Sequence, residues 1–130
     1  MTPAMKRLIP LLLFATLIIG CRERPVSTAK YFAGEPVEHW LTEIKSPDAK
    51  KRQHAADVLG NVGPIDPGAI PALTAALKDK DAKVRLAAVL ALSKIGPPAM
   101  SAAPDLEAAA KDTNPDVRKH TVDALRRIRS

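Results

Sequence analysis

Apolar positions recur along residues 37–128 in blocks of two helical stretches, and the blocks repeat every 33 residues without insertion or deletion. Trp40, Leu73 and Leu106 are 33 apart, as are Ile44, Leu77 and Ala110. Ala55, Ala88 and Thr121 follow the same interval, then Leu59, Leu92 and Leu125, then Val62, Ile95 and Ile128. Polar positions keep step with them: Asp48, Asp81 and Asn114, and Arg52, Arg85 and Arg118. A fixed period of this size means a solenoid, in which each unit buries its apolar face against its neighbours.

The middle unit shows the elements most clearly. Ile70, Leu73, Ala76 and Leu77 put one apolar face on a helix over Ala69–Leu77. Lys78-Asp79-Lys80 interrupts it, and Asp81 opens a second helix as N-cap, its carboxylate accepting from free backbone N–H groups of the first turn. Val84, Ala88, Ala91, Leu92 and Ile95 form the apolar face of that helix. Gly96 is expected to end it in a left-handed conformation before Pro97-Pro98, and Gly63-Pro64 to end the first unit in the same way. Gly60, Gly63, Gly68 and Gly96 all sit at helix ends, where backbone geometry accounts for them. No sustained period-2 alternation bounded by hairpin turns is present. The expected fold is all-α: an α-solenoid of three two-helix units, residues 35–66, 67–99 and 100–130.

Asp81-Ala-Lys-Val84-Arg85-x-x-Ala88-x-x-x-Leu92-x-x-Ile95-Gly96 resembles the HEAT-like repeat family, in the short form also found in phycobilin lyases. Asn114-Pro115-Asp116-Val117-Arg118…Leu125…Ile128 repeats the motif. The first unit departs at Lys51, where the family prefers Val, and the third ends without the Gly, at Arg129-Ser130. Terminal units have one face without a neighbour and make it polar, which suits Lys51 and the cations Arg126, Arg127 and Arg129. The resemblance implies a structural role for Asp48, Arg52, Asp81, Arg85, Asn114 and Arg118. Each Arg would hydrogen-bond the loop acids or carbonyls of its own or the next unit. The competing reading is a basic ladder gripping an anionic partner.

The first residues are of another kind. Lys6 and Arg7 precede Leu8–Ile19, an apolar run broken only by Pro10 and Thr16, and Gly20-Cys21 follows. A basic start, a short apolar run and a small residue describe an export signal, residues 1–20. The run is too short to span a bilayer, which needs roughly 20 residues. Ile18-Ile19-Gly20-Cys21 resembles the lipobox of bacterial lipoproteins, which implies acylation at Cys21 and cleavage just before it. Cys21 is the only cysteine, so no intrachain disulfide can form. Removing Lys6 and Arg7 lowers Lys plus Arg from 20 to 18 against 14 acids, so the formal charge falls from +6 to +4. Arg22 is not the Asp that retains such proteins at an inner membrane, so the family rule favours an outer membrane where one exists, with the domain facing the periplasm. Residues 21–34 read as the lipidated Cys and a tether without helical or strand periodicity. Tyr31 and Phe32 stand out in it and have two readings, packing near Trp40 or dipping into lipid; the proximity of Trp40 favours packing.

Catalytic chemistry is not visible. His54 and His120 occupy the same repeat position two units apart, too far to share a metal whose ligands sit about 2 Å from it. No Gly-rich phosphate loop or strained nucleophile turn is present. After Trp40 there is no aromatic residue, so the repeats hold no base-stacking platform for nucleic acid. The sequence therefore points to a non-enzymatic protein with no cofactor or metal: a lipid-anchored envelope scaffold or adaptor that binds another protein. The alternative is a degenerate enzyme-accessory or small-ligand-binding protein of phycobilin-lyase type, which would need a pocket lined by large apolar groups. The resemblance implies that the second helices line the inner, concave side, and the partner-binding surface is expected there, at Gln53, Asp57, Leu86, Val89, Ser93, Lys119, Asp123 and Arg126.

Overall fold

Each second helix begins where an Asx side chain replaces the missing turn. Asp48, Asp81 and Asn114 all have extended backbone. Their side-chain oxygens accept from the N–H of Lys50, Lys83 and Asp116 at 2.9, 2.8 and 2.9 Å. The computed structural model describes residues 30–130. The export signal, Cys21 and the tether as far as residue 29 lie outside the described residues.

Six α-helices are described: α1 Val37–Glu43, α2 Ala49–Val62, α3 Ala69–Ala76, α4 Ala82–Ile95, α5 Ala103–Ala109 and α6 Pro115–Ile128. They pair as α1–α2, α3–α4 and α5–α6, and the second helices stack in the order α2, α4, α6. A short 3₁₀ helix, η1 (Pro97–Ala102), leads from α4 to α5. The fold is the all-α solenoid expected. The unit boundary drawn after residue 99 falls inside η1, whose Ala99 and Ala102 are fully buried.

The core follows the repeat register. Leu59, Leu73, Leu92 and Leu106 are all completely buried, and Trp40 nearly so. Lys51 occupies the position that Val84 and Val117 bury in the later units; here it is exposed and pairs with Glu43 at 3.5 Å. Thr121 is buried at a position where the other units have Ala, and its hydroxyl donates to the Val117 carbonyl at 2.7 Å, so it carries no unmet polar cost.

Three local expectations are corrected. The end of the tether is not coil: β1 (Tyr31–Phe32) pairs antiparallel with β2 (Glu35–Pro36) through Ala33-Gly34. Both turn residues have positive φ, +52° and +84°, the sign that two-residue hairpin turns require. Trp40 anchors this hairpin by donating from Nε1 to the Phe32 carbonyl at 2.9 Å. Phe32 packs on the core as expected from the nearness of Trp40, whereas Tyr31 is left exposed.

The second correction concerns Gly63, which does not end α2 by a left-handed turn. Its φ and ψ are −48° and −39°, ordinary helix. Of the two glycines expected to end second helices this way, Gly96 takes positive φ, at +75°. Gly63 is there for space, since a Cβ would fall 2.1 Å from Ile95 Cδ1. Gly60, in the last turn of α2, is likewise required by contact, with its absent Cβ directed at Ala91.

The third correction concerns Val89. It is fully buried and offers nothing to a partner. Ala56, at the equivalent position in the first unit, is also fully buried, while Val122, at the same position in the last unit, is exposed. This row faces the following unit.

Candidate interaction surface

The three repeat arginines are positioned one turn into the second helices, and their guanidinium groups reach across the helix–helix loops. Arg52 donates from Nε to Asp79 Oδ2 at 2.9 Å and from Nη2 to Asp79 Oδ1 at 3.1 Å. Its Nη1 serves the carbonyls of Ser46 and Pro47. Arg85 repeats the two-pronged contact on Asp112 at 2.8 and 3.0 Å and donates to the Asp79 carbonyl. Each acid also accepts from a backbone N–H of its own loop, Asp81 for Asp79 and Asn114 for Asp112. One carboxylate thus ties its own loop to the preceding unit. The paired geometry is the strong form of this contact.

Arg118 donates to the carbonyls of Asp112 and Thr113 and, among the described residues, forms no ion pair. Ser46 stands where the later units have Asp79 and Asp112, so an acid occurs at this repeat position only where a preceding unit supplies an arginine. The structural reading of Arg52 and Arg85 is therefore the one the geometry supports. Of the five loop acids expected to serve them, Asp79 and Asp112 hold arginines, Asp48 and Asp81 cap helices, and Asp116 lies in the first turn of α6 without an arginine partner among the described residues.

Burial pushes the Asp79 carboxyl up, but its hydrogen bonds from Arg52 and Asp81 outweigh that and hold it below the usual carboxylate range. The hydrogen bond from Arg85 lowers Asp112 against the opposing effect of burial. Both carboxylates bind protons less readily folded than unfolded. Their stabilisation is therefore fully present above the ordinary carboxylate pKa of about 4 and is lost as pH falls through the lowered folded values. Asp57 runs the other way, raised by burial against the attraction of His54 and Lys94. Asp79→Asn with Asp112→Asn is expected to lower stability at neutral pH and to flatten its decline in acid. Urea midpoints compared from neutral pH to about pH 3 check this; an unchanged acid slope would remove the ladder as its cause.

The outward face of the second helices is built from stacked rows. Asp57, Leu90 and Asp123 form one row, all exposed; Gln53, Leu86 and Lys119 form the next, with Gln53 and Leu86 partly buried. Asn61, Lys94 and Arg127 flank them, again exposed. Leu90 is 45% exposed and lies at the centre of this face, although the sequence reading passed over it. Ser93 is partly buried, and Arg126 is exposed and lies 3.5 Å from Asp123. Of the expected surface residues, Gln53, Asp57, Leu86, Lys119 and Asp123 therefore share one face, Ser93 and Arg126 lie beside it, and Val89 does not belong.

The depressions in the surface are open, and large apolar side chains are few in them. One of about 290 Å³ lies on this face between Asp57, Asn61, Leu90, Ala91 and Lys94. A larger one, about 680 Å³, lies outside α1, and Leu41 is its single large aliphatic group among Glu38, Thr42, Glu43, Lys45 and others. Neither is a closed pocket lined by several large apolar side chains, as small-molecule sites usually are. Among the described residues no three His, Cys, Asp or Glu side chains come together as a metal cluster. His39 and His54 instead meet the Trp40 ring edge-on, at centroid distances of 4.9 and 5.3 Å.

A family model described as HEAT repeats matches residues 37–126, from the start of α1 to the last turn of α6. No curated protein matches the chain.

Proposed function

This chain belongs to the HEAT-repeat family, and from that premise we propose that it is a lipid-anchored scaffold or adaptor of the bacterial envelope, without catalytic residues, that binds another protein on the outward face of its second helices. HEAT repeats commonly mediate protein–protein interaction. The observation that carries the reading for this chain is the row Asp57–Leu90–Asp123: an exposed leucine at the centre of a charged, shallow face. Such a face suits a protein surface, with an apolar centre and a polar rim. The open depressions weigh against the small-ligand alternative.

The anchor rests on the basic start, the run Leu8–Ile19 and Ile18-Ile19-Gly20-Cys21. Two or three acyl chains hold a protein stably where one holds it marginally. Radiolabelled palmitate is expected to enter the wild-type chain and not Cys21→Ser; equal labelling, or none in either, removes the lipoprotein assignment.

The binding face has its own test. Crosslinking in intact envelopes, read by mass spectrometry, identifies the partner. Leu90→Asp with Lys119→Glu is then expected to abolish its capture while circular dichroism stays that of the folded protein. The Lys119 share of the loss should shrink at high salt, where the Debye length falls to about 3 Å. Capture unchanged by the double substitution would exclude this face.

A further inference from the structure

Among the described residues, three of the five exposed large apolar side chains lie on one edge of the solenoid. They are Tyr31, Ile65 and Met100, at 68%, 50% and 50% exposure. Tyr31 is in the hairpin before α1, Ile65 in the loop from α2 to α3, and Met100 in η1 between α4 and α5. All three connections run where second helices end and first helices begin, so they share an edge. Lys30 ties the first two together by donating from Nζ to the Ile65 carbonyl at 2.6 Å. α6 ends at the same edge, which brings exposed Arg127 and Arg129 beside the apolar groups.

The opposite edge has different chemistry. It carries the within-unit loops, in which exposed Lys45, Lys78, Lys80 and Lys111 stand among Asp48, Asp79, Asp81 and Asp112, and no exposed large apolar group, so what sets the two edges apart is the apolar groups. The apolar edge holds two loop acids, Glu35 and Asp66, and Asp66 is occupied in accepting from the Gly68 N–H at 2.8 Å. Arg129 pairs with Glu107 of α5. Lys30 and Arg127 make no ion pair among the described residues.

We propose that this edge is the membrane-facing side of the domain: Tyr31, Ile65 and Met100 enter the headgroup region of an anionic bilayer, and Lys30, Arg127 and Arg129 meet its phosphates. The occupant follows from where the chain enters. Residue 30 sits on this edge, and Cys21 lies nine residues before it. Nine residues reach at most about 30 Å fully extended and average about 15–18 Å as a flexible coil. The edge nearest the anchor is thus the one that combines exposed apolar groups with cations, the combination that interfacial lipid binding uses. Tyrosine is itself favoured at that depth. No described helix is long and apolar enough to cross a membrane, so the contact is with the surface. In this orientation the within-unit loops, which have no exposed large apolar group, point away from the bilayer and the Leu90 face stands to the side, open to a partner. The proposal rests on reading Cys21 as a lipid anchor.

The test uses the full chain in vesicles of phosphatidylglycerol and phosphatidylethanolamine with brominated acyl chains. Ile65→Trp and Met100→Trp report on the edge, and Leu90→Trp on the side face, each against the constant signal of buried Trp40. An apolar group on a membrane surface sits roughly 5–10 Å into the headgroup–acyl boundary, so quenching at 65 and 100 should exceed that at 90 by about twofold or more. Both edge positions are exposed, and either one alone is informative if the other variant misfolds. Equal quenching at all three positions overturns the proposal. Palmitate labelling separates it from the anchor assignment. Labelled Cys21 with equal quenching keeps the anchor and overturns the edge. Absent labelling, with quenching confined to 65 and 100, supports the edge and removes the anchor.

Discussion

Leu92→Ala is expected to lower stability by about 2–5 kcal/mol, the range for a fully buried leucine whose removal leaves a cavity. Leu92 is fully buried in α4, the helix that packs on both α2 and α6. A solenoid is held by nearest-neighbour interfaces, and the middle unit takes part in both of them. The repeat supplies internal controls. Leu59, its equivalent in the first unit, is fully buried, while Leu125 in the last is only partly so. Leu125→Ala should therefore cost less than either of the others. Lys51→Ala, at an exposed edge of the first unit, should stay within about 0.5 kcal/mol, because its ion pair with Glu43 is solvent-exposed. Urea melts of the four variants decide the point. A Lys51→Ala cost equal to that of Leu92→Ala would mean that the repeat register is wrong.

The features legible in the sequence are those that recur. Leu59 and Leu92, the Asx caps and the arginine positions were readable because each occurs two or three times at one interval, and chance does not keep register over residues 37–128. Features that occur once were harder to read. Two-residue strands are too short to show a period, and Ala33 is not a residue that signals a positive-φ turn, so the hairpin was invisible. Gly63 and Gly96 look alike before a proline, yet only the position of Ile95 reveals that Gly63 serves contact and not capping. Val89 was misplaced for a different reason. Aligning the units separates core from surface but does not say which surface row faces the next unit. The signal was present all the same. Ala56, Val89 and Val122 are apolar in all three units, whereas Asp57, Leu90 and Asp123 are polar in two, and the consistently apolar row is the one the first two units bury. On the same reasoning the exposed Val122 marks the last unit as the one without a described successor.

Gly60→Val is expected to cost about 1–3 kcal/mol or more, the usual effect of forcing extra carbons into a packed interface. Gly60 is buried in the last turn of α2, against α4. A Cβ there would lie 2.9 Å from Ala91 Cβ and 3.0 Å from Ala91 Cα. These atoms belong to the short stem and backbone of α4, so no rotamer change relieves the clash and the helices themselves must separate. Gly63→Ala meets side-chain atoms only, Ile95 Cδ1 and Cγ1, but that side chain is buried and β-branched, so it too must shift to make room. Replacing a helical glycine also brings roughly 0.5–1 kcal/mol of backbone stabilisation, which offsets part of either cost. Gly63→Ala, which adds one carbon against a side chain, should therefore cost less than Gly60→Val, which adds three against a neighbouring backbone. The repeat register sets Ser93 at the corresponding place in α4, opposite Ala124 of α6, so the second interface already accommodates a Cβ there. Ser93→Val should for that reason cost less than Gly60→Val. A double-mutant cycle isolates the contact: Ala91→Gly should recover part of what Gly60→Ala loses, because the pair restores one Cβ to the same gap. If the two substitutions prove additive, the close approach of α2 to α4 is not what requires glycine at position 60.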